Sequence, residues 1–262
     1  MKIKQVASFL ESIAPFEYQE SYDNCGLIIG DTNAEVKGAL ITLDCTEAII
    51  DEAISTGCNL VIAHHPIIFS GLKKLNGSNY IESTVIKAIK NEIAIYAIHT
   101  NLDNVHNGVN AKIAEKLGLV NCKVLLPRKD LNTNIIGSGI IGELNVPVDA
   151  QVFLKNLKLN MQTDCVRYTP LVKQQIKTVA VCGGSGSFLL KNAITAKADV
   201  FITADFKYHE FFDAENKIII ADIGHYESEQ FTKDLIYDLL VKNFTKFAVR
   251  LSKVNTNPIK YL

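Results

Sequence analysis

The sequence has no excess of charge of either sign. Lys and Arg total 27 against 28 Asp and Glu, for a net charge of −1. Proteins that bind nucleic acid by neutralising phosphates carry a basic surplus, so nucleic acid is not an expected partner. No uncharged apolar run reaches the roughly 20 residues of a membrane-spanning helix, so no membrane association is expected. The short run around Lys2 and Lys4 is too brief for a signal peptide. A cytoplasmic location is the expectation. Cysteine is sparse as well: six residues at 25, 45, 58, 122, 165 and 182, with no C-x-x-C pair. That scatter excludes a zinc ribbon and a disulfide scaffold. The cysteines read as buried small hydrophobes in a reducing compartment, with Cys25 and Cys182, each beside a glycine, as the two candidates for reactivity.

What is present suits one large or two ordinary globular domains: 262 residues, 48% apolar and 21% charged. Val- and Ile-rich runs at 38–43, 59–63, 93–98, 177–182, 200–203 and 217–222 are continuous rather than alternating. Such runs predict strands covered on both faces of a mostly parallel sheet. Helix-period segments at 3–13, 47–56, 80–91, 110–117, 188–196 and 227–241 lie between them. The alternation predicts an α/β fold. The rhythm breaks between 127 and 169, which predicts one lobe over 1–126 and a second over 127–262, the final helix being free to pack back on the first. The basic residues Lys242, Lys246, Arg250, Lys253 and Lys260 read as a solvated helix end and an edge strand.

In open α/β sheets ligands bind beyond the carboxyl ends of strands, and four predicted strands end in chemistry-bearing residues. The first runs into His64-His65-Pro66, the second into the HTNLD run of His99 to Asp103. The third runs into Ala204-Asp205 and the fourth into the Gly224–Glu229 segment. Neighbouring strand residues point to opposite faces, so His64 and His65 on a turn would each serve a different ion of a close pair. His225 and Glu229 are four apart at a helix start and share a face, whereas Glu227 points elsewhere and reads as a helix-start acid. Asp103 adds a carboxylate. His99 is either a ligand or a partner that orients one. This mixed nitrogen and oxygen set suits zinc, iron or manganese and disfavours calcium or an iron–sulfur cluster. Gly183, Gly184, Ser185 and Gly186 form a glycine-rich stretch after a strand, read either as a phosphate cradle or as a tight turn. His106 and His209 have no spacing argument and are expected as surface or substrate-side histidines.

The blocks YQESYDNCGLIIGD, AHHPIIF, HTNLDNVHNGVN, VCGGSGS, ITADFKYHE and IGHYESE, in this order, resemble the Nif-three-like family, whose members are commonly labelled GTP cyclohydrolase 1 type 2 homologues. The resemblance covers nearly the whole chain. It implies two linked α/β lobes, a dinuclear metal site at the cleft between them and a toroidal homohexamer. Carried over by motif, the ligands of two divalent ions fall on His64, His65, Asp103, His225 and Glu229, the set that spacing also selects. Tyr22 stands where a tryptophan is common, and Asn107 and Ala204 stand where glycines are expected, so substrate preference is not expected to carry over unchanged. The longer members' inserted middle domain is not expected in 262 residues. The implied function is a dinuclear metal-dependent hydrolase acting on a nucleotide-like or other small substrate, with Glu229, His99 and Asp205 as catalytic candidates. A non-catalytic metal-binding or regulatory scaffold is the alternative.

Overall fold

β-branched residues dominate the buried strands because their stiff side chains pack well on a pleated surface. In the computed structural model, which describes residues 1–129 and 135–262, these strands build two sheets in two units. The first unit comprises Met1–Leu102 and Thr232–Pro258, the second Asp103–Phe231 and Ile259–Leu262. The division falls at 102/103, not after residue 126. Its physical reason is that Val120–Lys129 pairs antiparallel with Ile135–Asp149 and so already belongs to the second sheet.

The first sheet has the strand order Gly26–Ile29, Ala94–Ala97, Leu60–Ala63, Gly38–Thr42, Ala248–Leu251. All neighbours run parallel except the first pair. Leu40, Ile41, Val61, Ile62 and Ile95 are fully buried, each side chain contributing about 1.5–3 kcal/mol through removal from water. Helix Ile3–Ile13 buries Ile3, Val6, Ala7 and Leu10, the spacing of one helical face. Helix Tyr80–Lys90 starts where the Asn79 side chain accepts the Glu82 N–H at 3.0 Å. Helix Glu47–Thr56 stops at Gly57, whose left-handed φ of 70° lets its N–H reach back to the last turn.

The second sheet has the order Val120–Lys129, Ile135–Asp149, Gln175–Ser185, Val200–Ala204, Ile219–Asp222, Arg167–Tyr168. Its three inner strands from Gln175–Ser185 to Ile219–Asp222 are parallel, and antiparallel partners flank them on both sides. The helical segment expected over 227–241 is two helices, His225–Glu229 and Thr232–Asn243, one in each unit. The segment expected over 188–196 opens as a 3₁₀ turn, Ser187–Leu189, before helix Leu190–Thr195. No helix among the described residues is long and apolar enough to cross a membrane.

Register decides which side chains can meet. In the first unit Thr42 pairs with Ala63 and Ala63 with Ala97, so the residues after each emerge at one sheet edge. In the second, Thr203 pairs with Asp222 and Ser185 with Ala204, which gathers residues 183–186, 205 and 223–225 at another edge.

Candidate metal centre

At the first sheet edge stand His64, His65 and His99. Their ring centroids are 4.9, 5.1 and 5.2 Å apart in pairs, and one ligand atom from each lies within 4.8 Å of the others. Every ring is held through Nδ1. His64 Nδ1 lies 2.8 Å from the Ile98 carbonyl oxygen, His65 Nδ1 lies 2.7 Å from Asp44 Oδ1, and His99 Nδ1 lies 2.9 Å from Asp23 Oδ1. A carbonyl oxygen only accepts, so in His64 the hydrogen sits on Nδ1 and Nε2 is the ring nitrogen that carries the lone pair. Carboxylates behind His65 and His99 favour the same tautomer and raise ligand basicity.

Asp23 is fully enclosed and accepts from the Thr100 hydroxyl and from the N–H groups of Thr100 and Asn24. Burial alone would raise its pKa, but the hydrogen bond and charge of His99, with Thr100 and Asn24, hold it well below the usual carboxylate range. Asp44 also accepts the Thr256 hydroxyl at 2.6 Å. Neither carboxylate is among the residues expected from sequence. Asp44 had a signal: it follows the Gly38–Thr42 strand as His64 follows Leu60–Ala63. Asp23 precedes a strand, and the strand-end rule does not find it.

In the second unit helix His225–Glu229 brings His225 Nε2 to 3.1 Å from Glu229 Oε2. His225 Nδ1 lies 2.7 Å from Asp205 Oδ2, so Asp205 stands behind this ring as Asp44 stands behind His65. Asp205 adopts a left-handed φ of 59°, a conformation its short polar side chain tolerates. An Asp103 oxygen lies within 4.8 Å of one from Glu229. Burial disfavours a charged His225, but the charge of Glu229 and the bonds to Asp205 and Glu229 outweigh it and raise its pKa to about 11. The hydrogen bond from His225 in turn lowers Asp205.

Glu227 stands in the first turn of its helix, as expected, but it is 5% exposed and holds the Tyr261 phenol. The glycine-rich stretch also has a local structural task. Gly183 N–H donates to Asn110 Oδ1 at 3.0 Å and Gly184 N–H to Ser228 Oγ at 2.9 Å. A Cβ at Gly184 would stand 2.4 Å from Glu229 Oε1, and one at Gly186 would stand 2.3 Å from Thr203 Oγ1. Bare backbone at Gly184 is what admits the Glu229 carboxylate beside the strand, while Ser185 is exposed at the strand end. His106 and His209 are exposed. The surroundings of Cys25 and Cys182 disfavour the thiolate: burial, with Asp23 beside it, pushes Cys25 up to about 12. Burial, with Asp103 and Glu229 nearby, also raises Cys182.

The donor chemistry fits a borderline divalent ion. Imidazole nitrogens with Nδ1 hydrogen-bonded, beside carboxylates, are the ligand types of zinc, iron and manganese sites. His64, His65 and His99 could supply such donors from the first unit, and Asp103, His225 and Glu229 from the second.

Comparison with known proteins gives a consistent assignment. The sequence profile described as Duf34/NIF3 (NGG1p interacting factor 3) matches residues 1–258. The chain is 34% identical to the Campylobacter jejuni protein named GTP cyclohydrolase 1 type 2 homolog, over 100% of both chains. It is 33% identical to the Clostridium acetobutylicum protein of the same name, over 87% of this chain and 85% of that one. The crystal structure of the Staphylococcus aureus hypothetical protein SA1388 superposes with a TM-score of 0.92 at 30% identity, covering 100% of this chain and 99% of that one.

Proposed function

Because the chain belongs to the Duf34/NIF3 family, we propose that it is a metal-dependent hydrolase in which His64, His65, Asp103, His225 and Glu229 hold two divalent ions. The observation that carries this reading is the shared posture of the imidazoles. His64, His65 and His225 are each fixed at Nδ1 by an oxygen of the protein, which makes Nε2 the ring nitrogen that would hold metal. When bound, zinc, iron or manganese lowers the pKa of a coordinated water to about 7 and so supplies hydroxide at neutral pH.

The residues of the chain divide the remaining work. Asp44 and Asp205 orient His65 and His225 and stabilise positive charge on them. With Asp205 occupied in this way, His99 is the group that moves a proton, its Nδ1 anchored on Asp23 and its side chain 12% open to solvent. Glu229, with two carboxylate oxygens, would help to hold the metal. The substrate is a nucleotide-like or other small molecule with an electrophilic carbon or phosphorus, and the names of the relatives support the first. The family resemblance also supports a closed homohexamer, for which light scattering is the test.

The experiment is a hydrolysis screen across nucleotides, phosphoesters and cyclic amides, on metal-replete and chelated protein. The proposal expects a turnover that disappears with chelator and returns with one metal. Stably bound metal with no turnover on any class would overturn the hydrolase and leave a metal-binding scaffold.

A further inference from the structure

The second unit carries a cavity of about 520 Å³ whose walls include Arg167, Tyr168, Tyr208, Phe211 and Phe212. Its size lies within the usual range for small-molecule sites, and its walls are mainly apolar with few polar groups. Two features of these residues specify what it can hold.

The first is an aromatic wall with open faces. Tyr208 and Phe212 lie four residues apart in the 3₁₀ segment Tyr208–Ala214, ring centroids 5.6 Å apart and interplanar angle 75°. They remain 72% and 65% exposed although they line a concavity. Phe211 is packed from behind by Phe206, with centroids 5.3 Å apart.

The second is a guanidinium fixed in place. Arg167 Nη2 donates to Asp222 Oδ2 and to the Phe206 carbonyl. Its central carbon sits 5.4 Å from the Phe211 centroid. Asp222 is 2% exposed, so this end of the arginine is rigid, whereas the side chain as a whole is 53% exposed. Among the described residues, Nε and Nη1 make no hydrogen bond, leaving three N–H donors on two nitrogens in a fixed plane. The one acid of the lining, Glu215, is turned to Lys217.

We propose that this cavity binds a planar aromatic molecule bearing an anionic group, its ring against Tyr208 and Phe212 and its anion on Arg167. An aromatic face is sequence-tolerant and favours any flat π-system, while a guanidinium with two unused nitrogens selects a carboxylate or phosphate. A nucleoside monophosphate and an aromatic carboxylate share this chemistry. The site stands on its own residues and does not depend on metal.

The test is calorimetric titration of the full chain, as purified, with guanosine monophosphate, guanosine and 1-naphthoate. One saturable site per chain is expected for at least one of the two anions, and the one that binds identifies the source. Guanosine should bind on the order of tenfold more weakly than its monophosphate. Tyr208→Leu should weaken the binding anion by about tenfold while metal content stays at the wild-type level. Arg167→Gln should remove the preference for an anion, and if that variant misfolds, the guanosine comparison still decides the point. No saturable binding of either anion, or affinity unchanged in Tyr208→Leu, would overturn the proposal. A Tyr208→Leu protein that changes oligomeric mass and binds no probe would overturn it too, making this wall a contact with a second copy.

Discussion

His225 and Glu229 stand one helical turn apart with Nε2 and Oε2 separated by 3.1 Å. In metal-free protein that contact is an ion pair, and its pH response follows. Free histidine titrates near 6.5, whereas Glu229 and Asp205 overcome the burial of His225 and raise it to about 11. A group raised on folding stabilises fully below its unfolded pKa and loses that contribution as pH rises through the folded value. Metal-free protein should therefore lose stability steadily between about pH 6.5 and 11, and His225→Gln should flatten that slope. Denaturant midpoints across this range check it. Zinc uptake at pH 8 should also release a proton from His225, visible with an indicator dye.

Glu227, two residues before Glu229, should behave differently. It is buried against Tyr261, so Glu227→Ala leaves that phenol without its acceptor and should cost about 1–3 kcal/mol. Metal content should nonetheless stay near wild type, since it is Glu229, not Glu227, that meets His225. Chemical denaturation beside metal analysis separates the two effects.

Gly184 and Gly57 both have left-handed backbone, with φ of +60° and +70°. Alanine at either should cost about 1–2 kcal/mol from conformation alone. Only at Gly184 does the new Cβ meet Glu229 Oε1, at 2.4 Å, while nothing lies within 4 Å at Gly57. Gly184→Ala should lose metal and Gly57→Ala should keep it, measured on folded protein by elemental analysis.

The sequence was legible where chemistry follows a buried strand. His64, His65, His99 and Asp205 are at strand ends because parallel register aligns those ends. The i,i+4 phase of His225 and Glu229 was legible for the same reason: helical geometry is local. Asp23 was not, because its partners His99 and Thr100 lie far along the chain, at a separation no short-range pattern records. The antiparallel flank of the second sheet was equally hidden. Ile135–Asp149 contains exposed and buried residues in irregular order, so neither period marks it as a strand. The role of Gly184 stayed open between two readings for a related reason. Glycine admits a phosphate or a neighbouring carboxylate equally well, and only the position of Glu229 distinguishes them.

The thiols offer a separate check on packing. Cys25 and Cys45 are pushed up to about 12 by burial, each with an aspartate nearby. Cys182 is raised by burial with Asp103 and Glu229 close by. All three should resist iodoacetamide at pH 8 in folded protein and react promptly in denaturant. Mass spectrometry of the labelled peptides reads the result.

Metal content per chain tests the central claim most directly. Metal-supplemented wild-type protein should carry about two divalent ions per chain. Asp205→Asn should lower affinity by about 10–100-fold, through loss of the carboxylate behind His225. Glu229→Ala should remove metal sharply while the protein stays folded. Wild-type stoichiometry reproducibly near zero, or full occupancy retained in Glu229→Ala, would contradict the account.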